Sequence, residues 1–294
     1  MKRPDTAGAT GGFADWLELT KPRITLMVLL TAGIGILLAA KEPPGLELVL
    51  ATVVGTWLVA AGSSALNHAL EHRLDALMER TANRPVAAGR MAPRAAIAFG
   101  LLIGVSGLLL LAWRVNWITA LLGLIAFLGY VVVYTPLKVK SSLSTLVGAI
   151  PGAIPPMMGW TAVAGELEPG AWVLFGLLFL WQLPHFLAIA WICRDDYARA
   201  GFPMLSVIQP DGGSTARQMV LYGLALIPVS LAPTVLGLAG RGYFAGALAL
   251  GVLYLALGVA FVFDRSEAAA RRVLLASVIY LPAVLGVLVF DRIA

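Results

Sequence analysis

Long apolar runs separated by short polar connectors set the pattern of this chain. Runs of helical length fall at about 24–40, 48–66, 96–113, 117–135, 143–163, 171–191, 219–240, 243–263 and 272–290. They approach or reach the ~20 residues that a helix needs to cross a ~30 Å hydrocarbon layer, and none alternates like a barrel strand. The pattern predicts an all-α integral membrane protein of about nine transmembrane helices. It reads as one polytopic domain over residues 1–294, opening with a polar cytoplasmic segment over 1–20.

Composition agrees with a lipid setting. The chain is 60% hydrophobic and 13% charged, with a mean hydropathy of +0.87, more apolar surface than one soluble core could bury. The polar, Gly-rich start lacks the apolar core and small-residue site of a cleaved leader. One cysteine, Cys193, excludes an internal disulfide and a cysteine-based metal cage. The pI near 9.6 does not point to nucleic acid, because the basic residues are scattered among loops and form no stripe.

Those residues instead report topology, since short cytoplasmic loops carry the excess of Lys and Arg. Nine spans put the termini on opposite sides. With the N-terminus inside, the inner side holds 17 basic residues, from Lys2, Arg3, Lys21 and Arg23 to Arg265, Arg271 and Arg272, while Lys41, Arg114, Arg241 and Arg292 make 4 outside. Two inner loops, roughly 68–95 and 192–218, are long enough to carry function.

The first carries Asn67, Glu71 and Asp75 at i, i+4 and i+8. Each step of four turns the helix by only ~40° and rises ~6 Å, so three oxygen-bearing side chains form one strip. Oxygen ligands in a row suit Mg²⁺, which is typically held by one or two carboxylates together with substrate phosphates. Spacing alone fits a solvated helix end equally well, with Arg73, Glu79 and Arg80 nearby. Arg80 and Arg84 shift the balance, because guanidinium matches phosphate in bidentate fashion. The second loop has Arg194, Asp195 and Asp196 on the same side of the membrane, as two metal-holding walls around one diphosphate would require. Lys138 stands on the inner rim and reads either as a phosphate contact or as a positive-inside anchor.

Polar residues within spans are expensive and usually face a cavity. Span six holds Gln182, Pro184 and His185; the histidine reads either as a structural bond across a helix interface or as a metal or haem-iron ligand. His68 and His72 are expected at the interface, where a solvated imidazole is tolerated. Pro151, Pro155 and Pro156 must bend span five, as is tolerated where a helix lines a cavity.

These residues resemble the UbiA-type intramembrane prenyltransferases. The resemblance runs from Leu19–Arg23 through Asn67–Pro85, Tyr134–Lys138, Gly152–Trp160 and Trp181–His185 to Asp195–Leu205. The strings from Trp181 to Phe186 and from Asp196 to Leu205 are similar to the branch that farnesylates protohaem IX. The resemblance implies nine helices around a central cavity and Mg²⁺-dependent ionisation of farnesyl diphosphate. The farnesyl group then adds to a vinyl group of haem b, and water supplies a hydroxyl to give haem O. It further implies Asn67, Glu71, Asp75, Asp195 and Asp196 as metal ligands; Arg80, Arg84, Lys138 and Arg194 on the diphosphate; and His185 on the haem. Expected partners are farnesyl diphosphate, haem b as substrate, membrane lipid and haem A synthase or terminal-oxidase assembly, but no nucleic acid, at a bacterial cytoplasmic membrane. Glu71 stands where the superfamily often has Asp. Only Asp195 and Asp196 remain of a second motif that often has more aspartates. A prenyltransferase for a quinone or chlorophyll precursor is the neighbouring alternative. A secondary transporter fits less well, because the polar residues gather at one membrane face.

Reporter fusions after residues 90, 140, 205 and 268 are expected to report the cytoplasm, and fusions near 44, 167 and 241 the opposite side. One inverted loop between them would overturn the nine-span topology.

Overall fold

The computed structural model describes residues 11–293, so residues 1–10 of the polar opening segment, with Lys2 and Arg3, lie outside the described residues. A short helix α1 (Phe13–Leu19) leads into α2 (Pro22–Ala39), α3 (Leu46–Asp75), α4 (Pro93–Arg114), α5 (Trp117–Leu137), α6 (Ser144–Ala164) and α7 (Pro169–Ile192). Two short helices, α8 (Arg194–Arg199) and α9 (Leu205–Ile208), precede α10 (Gly213–Val235), α11 (Arg241–Phe263) and α12 (Glu267–Phe290). Nine of the described helices are long and apolar enough to cross a membrane. Among the described residues the only pairing of extended backbone is one bridge between Ala239 and Arg292.

Two helices extend beyond their apolar runs, which shortens the inner loops to 76–92 and 193–212. Helix α3 has 30 residues, about 45 Å at 1.5 Å per residue, against a hydrocarbon layer of ~30 Å. Its last turns therefore stand at the membrane edge, and they carry Asn67, Glu71 and Asp75. Helix α10 starts at Gly213 because the polar stretch before its apolar run is already helical.

Two helices depart from regular geometry, α6 where its prolines predict a bend and α5 where the sequence pattern gives no sign. Helix α6 divides at Ile154 into Ser144–Ala153 and Pro155–Ala164, since prolines cannot donate to the preceding turn. Helix α5 contains a π turn over Gly129–Tyr134, a distortion frequent at functional sites. The second half of α6 is buried on all sides and lies against α2 at backbone distance. A Cβ on Gly35 would collide with the Pro156 carbonyl, and one on Gly159 with the Ala32 carbonyl. Without a hydrophobic drive between helices in lipid, such close van der Waals approach is what holds a span in place.

Gly159→Val is expected to lower thermal stability by about 1–3 kcal/mol, the usual cost of overpacking, because its nearest neighbour is backbone. Unchanged melting of the purified protein would contradict this packing.

Candidate active site

The final turns of α3 bury three polar side chains at the membrane edge. Asn67, Glu71 and Asp75 are 2%, 4% and 1% exposed. A buried carboxylate without a partner is strongly destabilising, and each of the three meets a cation from a different element. Lys21 Nζ, at the entry to α2, donates to Asn67 Oδ1 at 3.0 Å. Lys138 Nζ, just past α5, lies 2.9 Å from both oxygens of Glu71. Arg84, in the loop after α3, donates to Asp75 Oδ2 at 2.7 Å.

Local structure aims each cation. The π turn of α5 lets Thr135 Oγ1 donate to the Tyr130 carbonyl at 2.9 Å while accepting from Asn67 Nδ2 at 3.2 Å, which sets where Lys138 leaves the helix. The Lys138 ammonium lies 4.9 Å from the Phe202 ring centroid and 5.5 Å from that of Tyr134, a favourable setting for a cation. Lys21 has a φ of 46°, the left-handed region that non-glycine residues seldom adopt. Burial pushes its ammonium pKa down to about 7; the Arg84 charge adds to the shift, and the Glu71 carboxylate opposes it.

Several buried polar atoms on this face lack a hydrogen-bond partner among the described residues: Asp75 Oδ1, both ring nitrogens of His68 and Ser64 Oγ. Ser64, His68, Glu71 and Asp75 lie within about 60° of one another around α3 at 100° per residue. His68 is therefore not the solvated interfacial residue expected from sequence: it is 2% exposed, because the helix continues past it and loop 76–92 folds over. His72 is half-buried and bonds the Ala69 carbonyl at 2.7 Å.

No three His, Cys, Asp or Glu side chains among the described residues converge as a ready metal cage. Two carboxylates and an amide, with an unpartnered carboxylate oxygen on Asp75, fit a hard cation that shares its coordination with water and substrate phosphate.

The second inner loop packs on the first through Met78, Tyr197, Phe202 and Met204. Asp196 accepts from the backbone N–H groups of Glu79 at 3.1 Å and Arg80 at 3.4 Å, and from Arg199. Burial pushes the Asp196 carboxyl up, but those two backbone bonds and the Arg199 charge outweigh it and hold the pKa below the ordinary value. Asp195 projects outward, its side chain 88% exposed. The structure thus joins the two loops without bringing Asp195 and Asp196 into one cluster with Glu71 and Asp75. Arg80 is exposed, and Arg194 lies over the Trp191 ring at 4.8 Å.

The polar residues of α7 point two ways. Gln182, buried, donates to the Ala149 carbonyl of broken α6 at 2.8 Å. His185, half-buried, lies against α12 with Nδ1 2.7 Å from Ser277 Oγ, so the interface bond of the structural alternative is present.

Sequence reasoning left out Lys21, Thr135 and His68 as site residues. Lys21 directly precedes a proline at the start of a span, and His68 neighbours the acidic strip; those were the available signals. Partnering by Thr135 depends on the π turn, which leaves no mark in the pattern of apolar positions.

Three comparisons bear on this geometry. The UbiA prenyltransferase family matches residues 28–280. The protein "Protoheme IX farnesyltransferase" of Solibacter usitatus (strain Ellin6076) is 46% identical over 287 residues, covering 95% of this chain and 98% of that protein. Among solved structures, a digeranylgeranylglyceryl phosphate synthase aligns with a TM-score of 0.81 at 15% identity, covering 95% of this chain and 97% of that one. A UbiA homolog from Archaeoglobus fulgidus bound to GPP and Mg2+ aligns with a TM-score of 0.69 at 15% identity, covering 93% of this chain and 99% of that one. At such identity the structural likeness establishes the fold.

Asp196→Asn removes the charge behind the bonds to Glu79 and Arg80. Amide exchange at those two positions is expected to accelerate about 5–30-fold, the equivalent of 1–2 kcal/mol. Because the folded pKa of Asp196 is lowered, its contribution is complete above the ordinary carboxylate pKa and is lost as pH falls through the folded value. The same acceleration should therefore appear in the unaltered protein below about pH 4. Exchange rates indifferent to both changes would contradict this docking of the loops.

Proposed function

The chain belongs to the UbiA prenyltransferase family, and from that premise we propose that it transfers a farnesyl group from farnesyl diphosphate to a vinyl group of protohaem IX, giving haem O and diphosphate. The observation that carries the reading is the buried strip of Asn67, Glu71 and Asp75 faced by Lys21, Arg84 and Lys138. Relatives bearing the protohaem farnesyltransferase name match nearly the whole chain, which supports haem over a quinone or chlorophyll precursor as acceptor.

The chain's own residues supply what loss of diphosphate from an allylic carbon demands. Departure of the leaving group concentrates negative charge on its oxygens, and only interactions stronger in the transition state than in the substrate accelerate that step. Lys138 and Arg84 sit on carboxylates at bonding distance, and they turn to phosphate oxygens once the carboxylates are otherwise engaged; Lys21 does the same from Asn67. Arg80 and Arg194, at the exposed rim, contact the diphosphate as it enters. Asn67, Glu71 and Asp75 would hold Mg²⁺, which when bound neutralises charge on the leaving diphosphate; Asp196 acts from the second loop by holding the Glu79–Arg80 turn in place, and Asp195 stays at the exposed rim. The buried ring of Phe202 and the half-buried ring of Tyr134 beside Lys138 limit access of water to the allylic cation until it has bonded to the vinyl carbon. Water then adds at the neighbouring carbon and releases a proton. No side-chain nucleophile is needed. The excess of basic residues on one side supports an N-terminus in the cytoplasm, a C-terminus outside and a bacterial cytoplasmic membrane. On this reading the lipophilic product passes within the membrane to haem A synthase or oxidase assembly.

The direct test is conversion of haem b and farnesyl diphosphate by the purified protein into a heavier, more hydrophobic haem, followed by mass. Product formation without haem but with a quinone precursor would overturn the acceptor. Asp75→Asn and Glu71→Gln are each expected to slow transfer about tenfold or more, a barrier increase of ~1.4 kcal/mol. Full activity of both variants at limiting Mg²⁺ would contradict the diphosphate assignment.

A further inference from the structure

The hydrogen bonds around Ser277 decide which nitrogen of His185 carries the proton. Ser277 Oγ lies 2.5 Å from the Leu274 carbonyl oxygen and 2.7 Å from His185 Nδ1. A carbonyl only accepts, so the single hydroxyl proton of Ser277 goes to Leu274. The same oxygen can then meet His185 only as an acceptor. Nδ1 must donate, and a neutral imidazole with its proton on Nδ1 carries its lone pair on Nε2. No described residue bonds Nε2.

Ser277 also fixes the ring in space. Its own backbone carbonyl accepts from Trp181 Nε1 at 2.8 Å, and the Trp181 indole stacks on the His185 imidazole with centroids 5.4 Å apart and planes at 28°. Phe186 meets the imidazole edge-on from the other side of the sequence, at 5.6 Å. One fully buried residue of α12 therefore holds both members of the stack, the imidazole through its hydroxyl and the indole through its carbonyl. A histidine that merely tied α7 to α12 would need the hydroxyl bond but would not need an unbonded Nε2 on a half-buried ring. Metal-ligating histidines commonly donate their other ring N–H to an acceptor that sets tautomer and orientation.

We propose that Ser277 is a positioning residue that holds His185 as the Nδ1–H tautomer and presents Nε2 to the iron of the haem substrate. This rests on the haem reading above. Haem b without prenyl donor can be titrated into the full-length protein in nanodiscs, reading the absorption spectrum and the ferrous iron–imidazole stretching band. Binding of a non-reactive farnesyl diphosphate analogue is measured on the same samples. Ser277→Ala is expected to weaken haem binding about 10–100-fold and to lower the stretching frequency; analogue affinity stays unchanged, and Ser277→Thr restores the original band. If His185→Ala changes haem affinity and spectrum but Ser277→Ala changes neither, the positioning role is overturned while the haem reading stands. If His185→Ala leaves haem affinity and spectrum unchanged, iron ligation itself is overturned. Should Ser277→Ala fail to fold, the unaltered protein decides: a stretching band at the frequency of an imidazole without an Nδ1 hydrogen bond overturns the proposal, and a raised one supports it.

Discussion

Glu71 and Asp75 stand almost wholly removed from solvent where α3 leaves the hydrocarbon layer. Carboxylates so placed persist only when cations accompany them, since desolvation of an unpaired charge would cost several kcal/mol. Lys138 and Arg84 meet that demand at 2.9 and 2.7 Å, and the Lys21 amine donates to Asn67 one turn deeper. This charge balance organises the inner end of the molecule. It requires the entry to α2, the end of α5 and the loop after α3 to converge on one helix face. It also leaves the site able to exchange partners: a divalent ion on the carboxylates would free Lys138 and Arg84 for phosphate.

Other irregular features serve the same convergence. The length of α3 lifts the strip to the membrane edge. The π turn in α5 and the bond from Asn67 to Thr135 aim Lys138. Loop 76–92 is pinned twice, by Asp196 from the second loop and by Arg90, which donates to Asp15 of α1 at 2.8 Å and to the Asn83 carbonyl at 2.9 Å. That pairing draws the Asp15 carboxyl below its ordinary pKa, chiefly through the Arg90 hydrogen bond. Deeper in the membrane the broken α6, locked on α2 by Gly35 and Gly159 and bonded to Gln182, supplies a wall that a regular helix could not.

Much of this was legible in the sequence, because the forces that write it are strong and local. Lipid demands long apolar helices, and the nine runs matched nine helices. A four-residue repeat of oxygen-bearing side chains must lie on one face, and Asn67, Glu71 and Asp75 do. Where helices end was less legible: α3 and α10 continue through polar residues that hydropathy assigns to loops, and the buried His68 looks solvated from sequence alone. Tertiary pairings were hidden. Nothing in the local pattern joins Lys21 to Asn67 across 46 positions, or His185 to Ser277 across 92, and the spacing of Asp195 and Asp196 did not reveal that Asp196 caps a turn of the other loop.

Carboxylates and cations that exchange partners tie metal binding to diphosphate binding. Linkage requires such coupling to be reciprocal. The most direct measurement titrates the purified protein with a non-reactive farnesyl diphosphate analogue at several Mg²⁺ concentrations, and with Mg²⁺ at several analogue concentrations. Each ligand is expected to raise the affinity of the other by the same factor, about tenfold or more. Affinities independent of one another would contradict it.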